Sequence, residues 1–270
     1  MHVERFIMSL DLGFAYAQAR IQARFACLPA EDEWQRLAAS RTLASFLEEA
    51  RLGSLRNWVK GFSGQSDVHD LEAGLRSLHR EALEDVCGWV PAPWRDALSW
   101  TRWLVHLPLL AHLGAGGVMP AWVLRDPELC VLIGEDGALD PHRLAGAGVD
   151  ALMRAEQVPA AAWIAQWRCR WPRCGRETAR GLEALTALLA GHVENFRRIS
   201  PEATWSLRKE LRERLRLRLH QCTLQPQVPF IYLALTALHL ERLRAALVSR
   251  ALFSAQGEPA RPSAAGQAAA

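Results

Sequence analysis

Glycine-rich segments are the first places where this sequence could carry out chemistry. GAGGVMP at 114–120 lacks the third glycine of a dinucleotide-binding fingerprint and follows a predicted helix, so it is interpreted as a turn. GFSGQ at 61–65 has Gln65 where a nucleophile elbow has its second glycine. The sequence also has no phosphate-binding loop of the G-x-x-x-x-G-K-[ST] type. These segments therefore predict neither nucleotide binding nor a serine nucleophile.

Metal ligands form no recognisable sequence pattern. Cys169 and Cys174 are five residues apart and His106 and His112 six apart, so neither pair shares a helix face. A structural zinc site needs four converging ligands. The adjacent carboxylates Glu84 and Asp85 have no base or nucleophile beside them in the sequence. Three further histidines are interpreted as packing residues of apolar helices: His79, His192 and His239. The sequence thus predicts no metal, no cofactor and no catalytic residue.

The region around the predicted helix 201–221 has an uneven charge. From Arg197 to Arg218 it holds eight basic residues and three acidic ones. Leucines repeat every four residues along it and are predicted to face the core: Leu207, Leu211, Leu215 and Leu219. Beside them, Arg208, Arg212 and Arg216 are predicted to face outward. Two interpretations stay open, a solvated helix face or a surface for an acidic partner or lipid headgroups. Nucleic acid is disfavoured because no aromatic residues interleave with these arginines.

Composition indicates a folded chain with a large core. Of 270 residues, 50% are hydrophobic and 23% charged, which argues against disorder and against a polytopic membrane protein. The net charge of +3 argues against a dedicated nucleic-acid binder. Six cysteines without a C-x-x-C pair, and a start without a long apolar stretch, predict free thiols and a cytoplasmic protein.

Two uncharged stretches, 103–124 and 219–240, are long enough to be candidate membrane spans. A spanning helix needs about 20 continuous apolar residues. Histidines, prolines and glycines interrupt the first stretch, and the second opens with the polar segment HQCTLQPQ. Neither is therefore predicted to cross a membrane.

Helical periodicity predicts an all-α fold. Phe14, Ala17, Ile21 and Phe25 share one face of the first helix. Further helices are predicted at 32–52, 68–86, 94–113, 160–171, 175–199, 201–221 and 228–253, and Asp67 is the predicted N-cap of the helix 68–86. Proline and glycine pairs break the region 114–160 into short pieces. The tail 255–270 is small and polar, and is predicted to be disordered.

The first helix also resembles a known family. FAYAQARIQAR at 14–24 is similar to the opening Y-x-x-A-R pattern of the C/d subunit of V-type and A-type ATPases. TLASFLE at 42–48 resembles that family's second motif, and the helices 68–86 and 94–113 fit the rest of its first repeat. The closing block 211–253 is similar in order and spacing, with the matching residues Pro229, Tyr232, Leu243, Arg244 and Leu247.

The resemblance implies a mechanical function. Members of that family are funnel-like arrays of quasi-repeated helical bundles, which sit on the membrane c-ring and receive the central stalk without binding nucleotide. It implies a single helical domain over 1–254, with quasi-repeats at 1–113, 114–199 and 200–254 and a shortened middle. It also implies a protein that is peripheral on the cytoplasmic face. The candidate partner-binding residues are Tyr16, Arg20, Arg24, Arg208, Arg212 and Arg216. The alternative hypothesis is an unrelated all-helical scaffold or regulatory protein.

Overall fold

The computed structural model describes the backbone of residues 2–154 and 158–254, and the side chains of 13–154, 158–200 and 202–253. The chain is 76% helical, which confirms the predicted all-α class. Within the described residues the only β pairing is an isolated bridge between Ile133 and Leu139. No helix there is long and apolar enough to cross a membrane. The predicted disordered tail, 255–270, lies outside the described residues.

The α-helices follow one another along the chain with short connections, except for the long segment 115–140 between α7 and α8. They are α1 (His2–Phe25), α2 (Glu31–Ala38), α3 (Leu43–Arg51), α4 (Arg56–Val59), α5 (Val68–Trp89), α6 (Arg95–Ser99), α7 (Leu107–Gly114), α8 (Pro141–Ala147), α9 (Pro159–Cys169), α10 (Arg176–Arg198), α11 (Thr204–Gln221) and α12 (Gln227–Ser254). Segments of 3₁₀-helix lie at Ala92–Trp94, Trp100–His106, Ala121–Arg125, Cys130–Leu132, Asp150–Met153 and Pro201–Ala203.

The chain divides into two compact units. Unit 1 comprises residues 1–25 and 79–236, and unit 2 comprises 26–78 and 237–270. The boundaries at 78/79 and 236/237 fall inside α5 and α12. They do not coincide with the boundaries of the predicted quasi-repeats, 113/114 and 199/200. The repeat organisation stays a prediction.

Unit 2 is built around an apolar core supplied by α2, α3, α5 and α12. Its fully buried members include Phe46, Leu47 and Leu71, together with Leu243 and Leu247 from the end of the chain. Burying a side chain of this size stabilises a fold by about 1.5–3 kcal/mol. Two segments that are far apart in the sequence therefore form one core.

The prediction of a single helix over 32–52 is wrong, because the chain breaks between α2 and α3. Thr42 caps α3 by accepting a hydrogen bond from the Ser45 amide at 3.2 Å. Arg250 of α12 donates from Nε to the Ser40 carbonyl at 2.9 Å and from Nη2 to the Leu37 carbonyl at 3.3 Å. The arginine thus satisfies backbone acceptors that a continuous helix would have paired internally.

In unit 1, the predicted helix 94–113 is helical but not uniformly α. Residues Trp100–His106 form a 3₁₀ segment between α6 and α7. With three residues per turn, positions three apart lie on one face, and Trp100, Trp103 and His106 are all buried. Leu104, which an α-helix would have turned inward with Trp100, is exposed instead. The change of helix type is what brings His106 into the interior.

Candidate functional site

The exposed face of α1 holds the first three candidate residues. Phe14, Ala17 and Ile21 are buried, whereas the side chains of Tyr16, Arg20 and Arg24 are turned away from the core. Tyr16 is 57% exposed. The structure thus places the three candidates on one exposed side of α1.

Two of these candidates meet an acidic and aromatic groove on α5. The Arg20 and Arg24 guanidinium carbons lie 5.3 and 5.9 Å from the centre of the Trp89 ring. Arg24 also donates to Asp85 Oδ2 at 2.9 Å. The groove has a volume of about 470 Å³ and is lined by Glu81, Glu84, Asp85, Gly88 and Trp89. Cations over an aromatic face contribute about 0.5–1 kcal/mol at exposed sites, so this contact orients the arginines more than it stabilises the fold.

The other three candidates lie on α11, where Leu211, Leu215 and Leu219 are buried as predicted. Leu207, which is predicted to face the core with them, is only half-buried. Arg216 is 51% exposed and faces outward. Arg212 is only 13% exposed, so the prediction that all three arginines face outward is wrong for this residue. Its guanidinium lies against Glu213 at 3.6 Å, beside the leucine stripe.

Aromatic side chains accompany Arg208, although no aromatic residue interleaves with the arginines in the sequence. Its guanidinium carbon lies 4.8 Å from the Phe196 ring centre and 5.0 Å from that of Trp205. Trp205 is itself 45% exposed. Trp205 precedes Arg208 by three residues on α11, so helical spacing places them side by side. Phe196 comes from the end of α10, and the turn between the two helices brings it to the same arginine.

The pKa of His192 on α10 is lowered beside this basic surface. Burial lowers the pKa of His192, the charge of Arg208 lowers it further, and the charge of Glu210 opposes both effects. The imidazole therefore stays neutral to lower pH than a free histidine.

A buried group of ligand-type side chains lies elsewhere in unit 1. One ring nitrogen of His106, one oxygen of Asp126 and one oxygen of Glu128 all lie within 4.8 Å of one another. His106 is 1% exposed, and its Nε2 is 3.0 Å from Glu128 Oε2. We call these three residues the histidine–carboxylate cluster. Imidazole nitrogens and carboxylate oxygens are ligands of divalent transition metals.

Local backbone chemistry positions the two carboxylates. Asp126 precedes Pro127, which favours the extended conformation seen at Asp126 (φ −80°, ψ 122°). Asp126 Oδ1 accepts the Glu128 amide at 3.1 Å, and the Asp126 carbonyl accepts the Cys130 amide at 2.9 Å. This tight turn between two 3₁₀ segments directs the carboxylates of residues 126 and 128 to the same region.

A second buried imidazole, His79 of α5, adjoins the cluster. Burial is the main cause that lowers the pKa of His79, while the charge of Glu128 raises it and that of His106 lowers it. The side chain is 7% exposed. His79 is thus close enough to interact electrostatically with two members of the cluster.

The cluster could not be recognised in the sequence for a physical reason. With its adjoining imidazole it comes from α5, a 3₁₀ segment and a turn, and His106 and Glu128 are 22 residues apart. The α-helical period predicted for 94–113 turns His106 away from the interior. The three-residue spacing of Trp100, Trp103 and His106 was the available signal.

Comparison of the chain with protein-family models, with curated proteins and with solved structures finds no match.

Proposed function

We propose that this chain is a non-catalytic coupling subunit of a V-type or A-type rotary ATPase, which joins the central stalk to the membrane ring. In this role the protein is peripheral on the cytoplasmic face, and it binds its partners through exposed helix faces. The proposal rests on the resemblance of 14–24, 42–48 and 211–253 to the C/d subunit family. The all-α fold is compatible with it.

The observation that carries the proposal is the exposure of the α1 motif. Buried residues of a motif can be explained by packing alone, but Tyr16, Arg20 and Arg24 do not contribute to the core. Tyr16 and Arg20 supply an aromatic contact and a guanidinium donor, which are favoured at protein interfaces, whereas Arg24 is already paired with Asp85. These are the side chains that a socket for an acidic partner would need.

The basic surface of α11 supports the same interpretation. Arg208 is held between Phe196 and Trp205, so its guanidinium loses less conformational entropy on binding a carboxylate. Arg216 is half-exposed and lies 3.7 Å from Glu213 Oε1, so it presents a partly neutralised positive charge to solvent. Charge complementarity of this kind raises association rates and selects acidic partners.

A charge-reversal experiment tests the proposal. The chain is co-expressed with the central-stalk and ring subunits of a rotary ATPase from the same genome, and recovery of the complex is measured by affinity purification. Arg208→Glu, Arg212→Glu and Arg216→Glu together change the charge by six units, and we expect association to weaken at least several-fold at low salt. Arg20→Glu with Tyr16→Ala tests α1 in the same way.

A matched variant controls for net charge. Arg173→Glu, Arg176→Glu and Arg180→Glu introduce the same change at exposed positions before and within the start of α10, and we expect them to leave association unchanged. Failure of the unmodified chain to bind any of these subunits would favour the alternative, an unrelated helical scaffold. Tight binding to single-stranded DNA would instead assign the arginine and aromatic surface to nucleic acid.

The proposal also predicts that the purified chain has no nucleotide hydrolysis of its own. The reason is that the sequence offers no phosphate-binding loop to hold a triphosphate. Steady release of phosphate from ATP, followed enzymatically, measures this. Turnover that a single substitution in this chain abolishes would contradict the prediction.

A further inference from the structure

We propose that the histidine–carboxylate cluster of unit 1 is a binding site for a divalent transition-metal cation such as Zn²⁺. His106, Asp126 and Glu128 would supply one nitrogen and two oxygen ligands, with His79 as the adjoining imidazole. The inference is independent of the proposed function, because none of these residues lies on the candidate partner surfaces.

The spacing of the ligand atoms fits a single ion. Zinc binds nitrogen and oxygen at about 2.1 Å, so two ligands in tetrahedral arrangement lie roughly 3.4 Å apart. The His106 to Glu128 distance is 3.0 Å, and all three ligand atoms lie within 4.8 Å of one another.

Burial and charge favour a cation at this position. His106 is 1% exposed, Asp126 is buried, and the Glu128 side chain is 11% exposed. Two carboxylates this close together in a buried site repel each other, and a divalent cation placed between them offsets that repulsion.

One imidazole of the cluster retains an unused nitrogen atom. His106 Nδ1 is buried without a hydrogen bond to any described residue, although Nε2 lies against Glu128. Buried polar groups are nearly always satisfied, so the unpaired Nδ1 is an independent indication that a group outside the chain binds this ring.

Calorimetric titration of the full chain tests the site. The protein is purified with a chelator, dialysed and titrated with ZnCl₂, and we expect one ion to bind per chain. Glu128→Gln and Asp126→Asn keep the side-chain volume and remove a ligand charge. We expect each to weaken binding at least ten-fold, with folding checked by circular dichroism. His112→Gln is the control, since this imidazole lies outside the cluster and bonds the Val118 carbonyl.

Cobalt distinguishes this site from the exposed cysteines Cys27, Cys169 and Cys174. Co²⁺ on nitrogen and oxygen ligands gives visible ligand-field bands without a sulfur-to-cobalt charge-transfer band in the near ultraviolet. We expect that spectrum, and we expect its loss in Glu128→Gln. Three outcomes would overturn the proposal: no Zn²⁺ binding by the unmodified chain, equal binding by both isosteric variants, or a thiolate spectrum that Cys169→Ser and Cys174→Ser abolish.

Discussion

The buried carboxylate of Glu33 in unit 2 holds the turn at Ser54 by hydrogen bonds. Its two oxygens accept the Ser54 amide at 2.8 Å and the Ser54 hydroxyl at 2.5 Å. A Cβ at Gly53 would lie 2.1 Å from Glu33 Oε1, so only glycine leaves room for the carboxylate to approach. One buried acid thus closes the connection that follows α3.

We expect Glu33→Gln to lower the free energy of unfolding by about 1–3 kcal/mol, because the bonds from the Ser54 turn to this buried side chain lose their charge assistance. Urea denaturation followed by circular dichroism measures the change. Glu48→Gln on α3 is exposed and should change stability by less than about 0.5 kcal/mol. Equal effects of the two substitutions would show that the Ser54 contacts contribute nothing.

At the scale of the element, α11 separates two interpretations of the alternation LRLRL at 215–219. A strand would place Leu215, Leu217 and Leu219 on one face. In the helix Leu215 is fully buried and Leu217 is 59% exposed. We expect Leu215→Ala to cost about 2–5 kcal/mol of unfolding free energy through lost burial and a cavity. Leu217→Ala, measured by the same thermal or urea unfolding, should be nearly neutral, and similar losses would contradict the helical assignment.

The contact between α10 and α11 also predicts a pH effect. Because the folded-state pKa of His192 is lowered, the folded chain binds fewer protons than the unfolded one below pH of about 6.5. This group therefore reduces stability as the pH falls from that value through the folded pKa. We expect Arg208→Glu to raise the pKa of His192, as measured by NMR titration of its imidazole. Arg180→Glu serves as the control, and an unchanged pKa in Arg208→Glu would remove Arg208 as a cause.

Periodicity predicts the long helices well because their apolar stripes repeat over many turns. The N-cap Asp67 can also be predicted from the sequence, and its Oδ1 accepts a hydrogen bond from the Asp70 amide at 2.8 Å. The break between α2 and α3 cannot be predicted from the local sequence. Arg250, which hydrogen-bonds the backbone carbonyls at the break, comes from the far end of the chain. An α-helical period over 94–113 would place His106 outside the buried face. The reason is local, because each residue of a 3₁₀ segment turns further about the helix axis than a residue of an α-helix. The histidine–carboxylate cluster depends on that shift and on a distant turn.

At the scale of the whole molecule, the division into two units predicts that a mutation in one unit destabilises that unit more than the other. Phe46 is buried in the unit 2 core, so Phe46→Ala should cost about 3–5 kcal/mol there. Hydrogen exchange by mass spectrometry should then show faster exchange in 26–78 and 237–254, and smaller changes in 79–236. Uniform acceleration along the chain would instead support the single domain that the family resemblance implies.

Unit 2 is built from two separate segments of the chain, so its two parts are synthesised at different times. Glu72 and Arg244 form an ion pair within this unit, yet they are 172 residues apart in the chain. At ribosomal speeds of about 5–20 residues per second, synthesis of the second segment, 237–270, begins roughly 10–30 s after the first segment, 26–78, is finished. Throughout that interval Phe46 and Leu47 lack the leucines of α12 that cover them in the finished core. During synthesis this apolar surface is therefore open to wrong contacts that the completed fold excludes.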